Sequence, residues 1–88
     1  MQDTIERIQR MESNFDTLQK ALTDDPDAFL DDISIKEILR ELIQYYEGGQ
    51  WLRDYELDEK GLLPKDLKRG VLAQDAVYDF LEAIPCQR

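Results

Sequence analysis

TIERIQRMESNFDTLQKALT, residues 4–23, decides the class of fold. Ile5, Ile8, Met11, Phe15, Leu18 and Leu22 recur at steps of three and four, and neither Gly nor Pro interrupts them. Ile8, Met11, Phe15, Leu18 and Leu22 follow an a/d seam, which Ile5 broadens at its start. Polar residues fill the other positions. The spacing predicts an amphipathic helix whose apolar stripe must be buried against another element.

Asp24-Asp25-Pro26-Asp27 ends that pattern. Pro26 suits the first turn of a new helix, with Asp25 placed to cap it and Asp27 favourable at the positive end of its dipole. Apolar residues resume at Phe29, Leu30, Ile33, Ile38, Leu39, Leu42, Ile43 and Tyr46. A start inside the stretch is the alternative: Ser34-Ile35-Lys36-Glu37 reads as a capping box, with Ile33 and Ile38 as its staple. One helix from about Pro26 to Glu47, continuous or kinked near Ser34, is the expectation. Gly48-Gly49 ends it in either case. Two helices of roughly 30 Å each, joined by a short turn, fold back as an antiparallel hairpin.

Two helices cannot cover two apolar stripes, so the remainder must lie across them. Gln50–Leu57 reads as a short helix with Trp51, Leu52 and Tyr55 on one side. Lys60 to Pro64 is a turn, Pro64 opens a helical turn through Leu67, and Gly70 closes it. From Gln74 to Ile84, the recurrence of Val77, Tyr78, Leu81 and Ile84 predicts a last helix, which Pro85 stops. The expected architecture is all-α, a single domain over 1–88. A long antiparallel hairpin (1–47) is covered by short helices (48–84), with a frayed end at 85–88. Trp51, Tyr55, Leu63, Leu67, Val71, Leu72, Val77, Tyr78 and Leu81 should pack against Ile8, Phe15, Leu18, Leu22, Leu39, Leu42, Ile43 and Tyr46.

With 88 residues the chain can build one modest core, and a deep catalytic pocket would compete for the same apolar side chains. Its net charge of −9 opposes direct binding to nucleic acid or to an anionic membrane and favours a basic protein surface. A single thiol, Cys86, cannot form an internal disulfide, and no run of about 18 apolar residues is present. With a polar stretch from Gln2 onward, these point to a cytoplasmic protein. The charge is uneven: Asp24 to Glu47 holds eight acids and two bases, whereas Leu62 to Arg88 holds four of each.

The segment with most individual character is Tyr45-Tyr46, Trp51-Leu52-Arg53-Asp54-Tyr55-Glu56, Asp58-Glu59, Gly61, Leu63-Pro64, Asp66-Leu67-Lys68-Arg69-Gly70-Val71-Leu72, Asp75 and Tyr78. It resembles a family of small bacterial proteins known as a domain of unknown function, DUF4298, which carries a W-L-x-D-[YF]-E-x-D-E-x-G-x-L-P-x-D-L-K-R-G-V-L pattern. The resemblance spans Tyr45 to about Glu82. It implies a bacterial source and a compact helical fold, and it brings no activity with it. Ala73 stands where members often carry Ser, so the last helix is expected to lack a hydroxyl cap.

Asp54, Glu56, Asp58, Glu59 and Gly61 invite comparison with a calcium loop. An EF-hand needs Gly at position 6 and Glu at position 12; counted from Asp54, those are Glu59 and Lys65. The acids are instead expected to pair with Arg53, Lys65, Lys68 and Arg69 in a surface network. Acid–base hydrolysis by paired carboxylates lacks a cleft, a histidine or a phosphate cradle to assist it. No catalysis, cofactor or metal is therefore expected. Trp51 with Tyr45, Tyr46 and Tyr55 suits either a small core or a recognition hot spot.

Two functions remain. The first is a non-enzymatic protein–protein interaction or regulatory module, with a basic partner protein or a second copy of the chain on an uncovered stripe. The second is an acidic mimic of nucleic acid that inhibits a nucleic-acid-binding protein, as phage-type inhibitors do. The candidate surface for both is Asp24, Asp25, Asp27, Asp31, Asp32 and Glu41. The mimic needs carboxylates on one face at phosphate-like spacing, which Asp24, Asp27, Asp31 and Asp32 approximate on one helix side and Glu41 only loosely.

Overall fold

The stripe of residues 4–23 winds into α1, Gln2–Asp24, in a computed structural model that describes residues 2–73 and 75–84. Ile8, Met11, Phe15 and Leu18 are buried along it. The chain leaves at Asp25, whose carboxylate accepts the Ala28 N–H at 3.2 Å and holds the turn that carries Pro26. The expected frayed end at 85–88, with Cys86, lies outside the described residues, as does Gln74.

The second helix begins later than the proline suggests. Phe29–Asp31 forms a single 3₁₀ turn, and α2 runs Ile33–Glu47. Asp32 caps it, accepting from the N–H groups of Ser34 at 2.8 Å and Ile35 at 3.4 Å. The continuous helix from Pro26 is not found, and the capping bond that Asp25 makes to the Ala28 N–H closes a turn rather than opening a helix. The reason lies in Phe29. In a continuous helix it would stand four residues before Ile33 and seven before Lys36, on the face they share. That face points to solvent, with Ile33 73% exposed. Breaking the helix at Asp32 turns Phe29 inward, where its ring meets Phe80 edge-on at 6.4 Å. With about 22 Å of helix, α2 is shorter than expected and lies along part of α1. The two run antiparallel: Arg10 and Asn14 of α1 meet Glu41 of α2, while Ala21, further along α1, lies beside Ile35, earlier in α2.

Gly48 and Gly49 end α2 as expected. The Gly48 N–H returns to Gln44 O at 2.9 Å. Gly49 has φ 95° and opens α3, Gln50–Glu59, directly. That helix runs two residues past the expected Leu57. It closes in a Schellman arrangement, with Gly61 N–H on Asp58 O at 3.0 Å and Leu62 N–H on Leu57 O at 3.1 Å. Gly61 takes φ 72°, which a side chain would oppose. Its inward stripe is Trp51, Asp54, Tyr55 and Asp58, so Leu52 is 53% exposed rather than packed.

The expected turn from Pro64 through Leu67 forms as one hydrogen-bonded turn, Leu67 N–H to Pro64 O at 3.3 Å, and Gly70 opens a 3₁₀ turn, Gly70–Leu72, instead of closing the earlier one. The last helix, α4, spans Ala76–Ala83; Asp75 sits at its start without a side-chain cap. Val77, Phe80, Leu81 and Ile84 are its buried side. Tyr78, expected in the core, is 53% exposed. Phe80 is the residue that shares a face with Val77 and Ile84, and it wedges edge-on against Phe15 at 5.5 Å. The core lies between α1, α2 and the C-terminal cover of Leu63, Leu67, Val71, Leu72 and α4. On α2 it takes Leu42 and Tyr45, while Leu39, Ile43 and Tyr46 are only partly buried. All regular structure among the described residues is helical.

Candidate functional site

Asp54 is the one charged residue buried among those described. Its position follows from α3: it stands three residues after Trp51 and enters the interior on the same stripe. There it meets Arg7 of α1 through a two-pronged contact, Nη2 to Oδ1 at 2.6 Å and Nε to Oδ2 at 3.0 Å. The Tyr45 hydroxyl of α2 donates to Oδ2 at 2.7 Å. One carboxylate thus joins three helices. Hydrogen bonding to Asp54 raises the Arg7 pKa against the opposing effect of burial. Burial, reinforced by the bond to Asp54, pushes the Tyr45 phenol far above its ordinary range. The expected surface pairing of Asp54 is therefore replaced by a buried one, with a partner 47 residues away. Fully buried and accepting three hydrogen bonds from its own chain, this carboxylate is out of a ligand's reach.

A second contact set holds the cover in place. Trp51 Nε1–H donates to Val71 O at 2.8 Å, and Glu12 Oε1 accepts the Val71 N–H at 2.8 Å. Both polar groups of Val71 are thus held by side chains from α3 and α1. Trp51 lies between aromatic rings, stacked on Tyr55 at 5.1 Å and edge-on to Tyr46 at 5.1 Å. Of the expected surface pairs, Asp58 with Arg69 forms, at 2.5 Å. Arg69 also donates to the carbonyls of Leu67, at 3.2 Å, and Pro64. This guanidinium ties the turn of residues 64–67 to α3. Glu56, Glu59, Lys68, Asp75 and Tyr78 remain on the surface.

The acids singled out as an interaction surface are not one row. Asp24 pairs with Lys20, Asp25 holds the Pro26 turn, and Asp32 caps α2. Asp27 and Asp31 are exposed. Asp24, Asp25, Asp31 and Asp32 rim a shallow depression floored by Ala21, Phe29 and Ile35. Glu41 belongs to the α1–α2 seam, accepting from Arg10 at 2.7 Å and from Asn14. The bond from Arg10 lowers its pKa. Asp24, Asp27, Asp31 and Asp32 do not share one helical side, because α1 ends at Asp24 and α2 begins only after Asp32.

A further concavity lies elsewhere. A groove of about 540 Å³ runs between α1 and the bend of residues 64–68. Ile5, Gln9, Glu12, Ser13, Asp16 and Thr17 form one wall, and Pro64, Asp66, Leu67 and Lys68 the other. The α1 wall is a stripe at steps of three and four beside the buried one. That periodicity was present in the sequence, but polar residues on a helix read as a solvated face until an opposing wall is known. Among the described residues no cluster of His, Cys, Asp and Glu is arranged to hold a metal ion, and no buried side-chain polar atom lacks a partner. Among the same residues no helix is long and apolar enough to cross a membrane.

An all-helical chain, pinned by a buried Asp–Arg–Tyr set and a tryptophan clamp, is thus the class that fold and site define. It belongs to the family described as Domain of unknown function (DUF4298), whose model matches residues 8–86. The match takes in most of α1 and the acidic turn as well as the tryptophan-bearing half. No curated protein and no solved structure matches the chain.

Proposed function

We propose that this protein is a small non-enzymatic interaction module whose contact surface includes the groove between α1 and residues 64–68. The observation that carries the reading is how the polar residues are distributed. Asp54, Arg7, Tyr45, Trp51, Asp58 and Arg69 all bind one another or the backbone of the cover. The groove instead gathers polar side chains from two distant parts of the chain on a partly apolar floor, as interface rims and pockets do. Among the described residues Glu12 bonds the Val71 N–H, while Gln9, Ser13, Asp16, Thr17, Asp66 and Lys68 have no side-chain partner. The net charge of −9 favours a basic partner by steering its approach.

Affinity purification of the tagged protein from its native host, at low and at high salt with mass spectrometry of the bound fraction, tests the proposal. A partner retained at both salts is the expected result. A nucleic-acid-binding protein lost at high salt would replace this reading with that of a mimic. Nothing bound at either salt, together with a monomeric mass by light scattering, would overturn it.

A further inference from the structure

Resting on that reading, we propose that the groove binds an extended, arginine-bearing segment of a partner protein, with Glu12 as its central anchor. The groove follows α1 from Ile5 to Thr17. Twelve helical steps of 1.5 Å make it roughly 18 Å long. At about 3.3 Å per residue that accommodates five or six residues of extended chain.

Charge selects the ligand. Glu12, Asp16 and Asp66 face the groove against a single cation, Lys68. Among the described residues none of the three carboxylates takes part in an ion pair. Glu12 is the distinctive one. It is half-buried, and the Val71 N–H fixes its orientation through Oε1 at 2.8 Å. Its Oε2 lies 3.0 Å from where a Cβ on residue 70 would stand, so Gly70 gives this carboxylate its room. A half-buried carboxylate with one N–H partner and no counter-charge is incompletely compensated. A guanidinium completes it, because its planar fork offers parallel donors to a fixed carboxylate and its stem can lie on the apolar floor of Ile5 and Leu67. Phosphate-bearing ligands are repelled by the same three acids.

The test uses the full chain, isotope-labelled, titrated with the capped hexapeptide Ala-Arg-Ala-Arg-Ala-Arg and with the same peptide carrying Gln in place of Arg. The expected result is saturable amide shifts at Gln9, Glu12, Ser13, Asp16 and residues 66–68 with the arginine peptide alone. Glu12→Gln keeps a side-chain oxygen for the Val71 N–H and so keeps the fold. It should weaken binding about tenfold or more, since it removes a charge-assisted contact. Asp66→Asn, on the exposed wall, is the companion variant and should weaken binding without touching Val71. An absence of saturable shifts, equal shifts around Asp24 to Asp32, or unchanged affinity in both variants would overturn the proposal.

Capture from the host with wild type and with Glu12→Gln/Asp66→Asn separates the two claims. A partner held by wild type and lost by the variant, at unchanged melting temperature, agrees with the groove. A partner held equally by both keeps the module and overturns the groove. If wild type captures nothing and is monomeric by light scattering, the module reading fails, and the titration alone decides the groove.

Discussion

Asp54→Asn is the substitution that most directly probes how this chain is held together. The change is nearly isosteric, yet it replaces a carboxylate that accepts three hydrogen bonds, two from Arg7 and one from Tyr45. One amide oxygen can still accept. The amide NH₂ must then face a guanidinium N–H in either orientation, donor against donor, and at the Oδ2 position it displaces the acceptor of the Tyr45 hydroxyl as well. Arg7 would also lose its counter-charge while its side chain is only 22% exposed. Removing one member of a buried pair costs about 3–5 kcal/mol, and the partial access of Arg7 to water places the loss near 3–4 kcal/mol. For a chain of this length each kcal/mol moves the melting temperature by about 5 °C, so the midpoint should fall by roughly 15–20 °C. Urea melts followed by circular dichroism, with the slope m compared between variants, would give the free energy directly. The double variant Arg7→Met/Asp54→Leu should regain more than half of the loss, since neither charge is then stranded. A loss below about 1 kcal/mol for Asp54→Asn, or a double variant as poor as the sum of its singles, would refute the reasoning.

Three further outcomes can be checked on the same samples. Trp51→Ala should cost about 3–5 kcal/mol by denaturant melt, whereas Trp51→Phe should cost about 1–2 kcal/mol by leaving the Val71 carbonyl without its donor. The Tyr45 phenol has a raised pKa in the fold. Its contribution is therefore complete below the unfolded value near 10 and is lost as the pH climbs toward the folded one. Above about pH 10 wild type should lose up to ~1.4 kcal/mol per pH unit more than Tyr45→Phe, and equal slopes would contradict the placement of Tyr45. Asp32→Ala should cost about 1 kcal/mol and Ser34→Ala almost nothing, because Asp32 supplies the cap of α2.

Much of the fold could be read from spacing. The a/d seam of residues 4–23 became α1 with the expected residues inward, and Gly48-Gly49 stopped α2 where a left-handed residue was needed. The departures share a cause: each depends on a partner remote in sequence. Phe29 breaks its helix to reach Phe80. Phe80 displaces Tyr78 from the inward face because Phe15 and Phe29 wait for it. Local periodicity is indifferent to such choices. Asp54 was harder still. Carboxylates avoid interiors, and nothing near residue 54 announces an arginine at position 7. The groove was hidden for the same reason, since its second wall arrives some 50 residues after the first. Arg69, by contrast, was paired correctly with an acid of α3, because the two lie on either side of one short bend.

The bond between Glu12 and the Val71 N–H spans 59 positions. It fixes an order of events during synthesis. The local hydrogen bonds of α1 and α2 can form as soon as each segment leaves the ribosome, because helices need only neighbours. The interior that shelters Ile8 and Phe15 cannot close until the chain has passed Leu72 and supplied Phe80. For that interval the hairpin carries a bare apolar seam, the condition in which nascent chains associate with the wrong partner. A net charge of −9 on so short a polypeptide then acts in time as well as in space, holding like chains apart until the cover arrives.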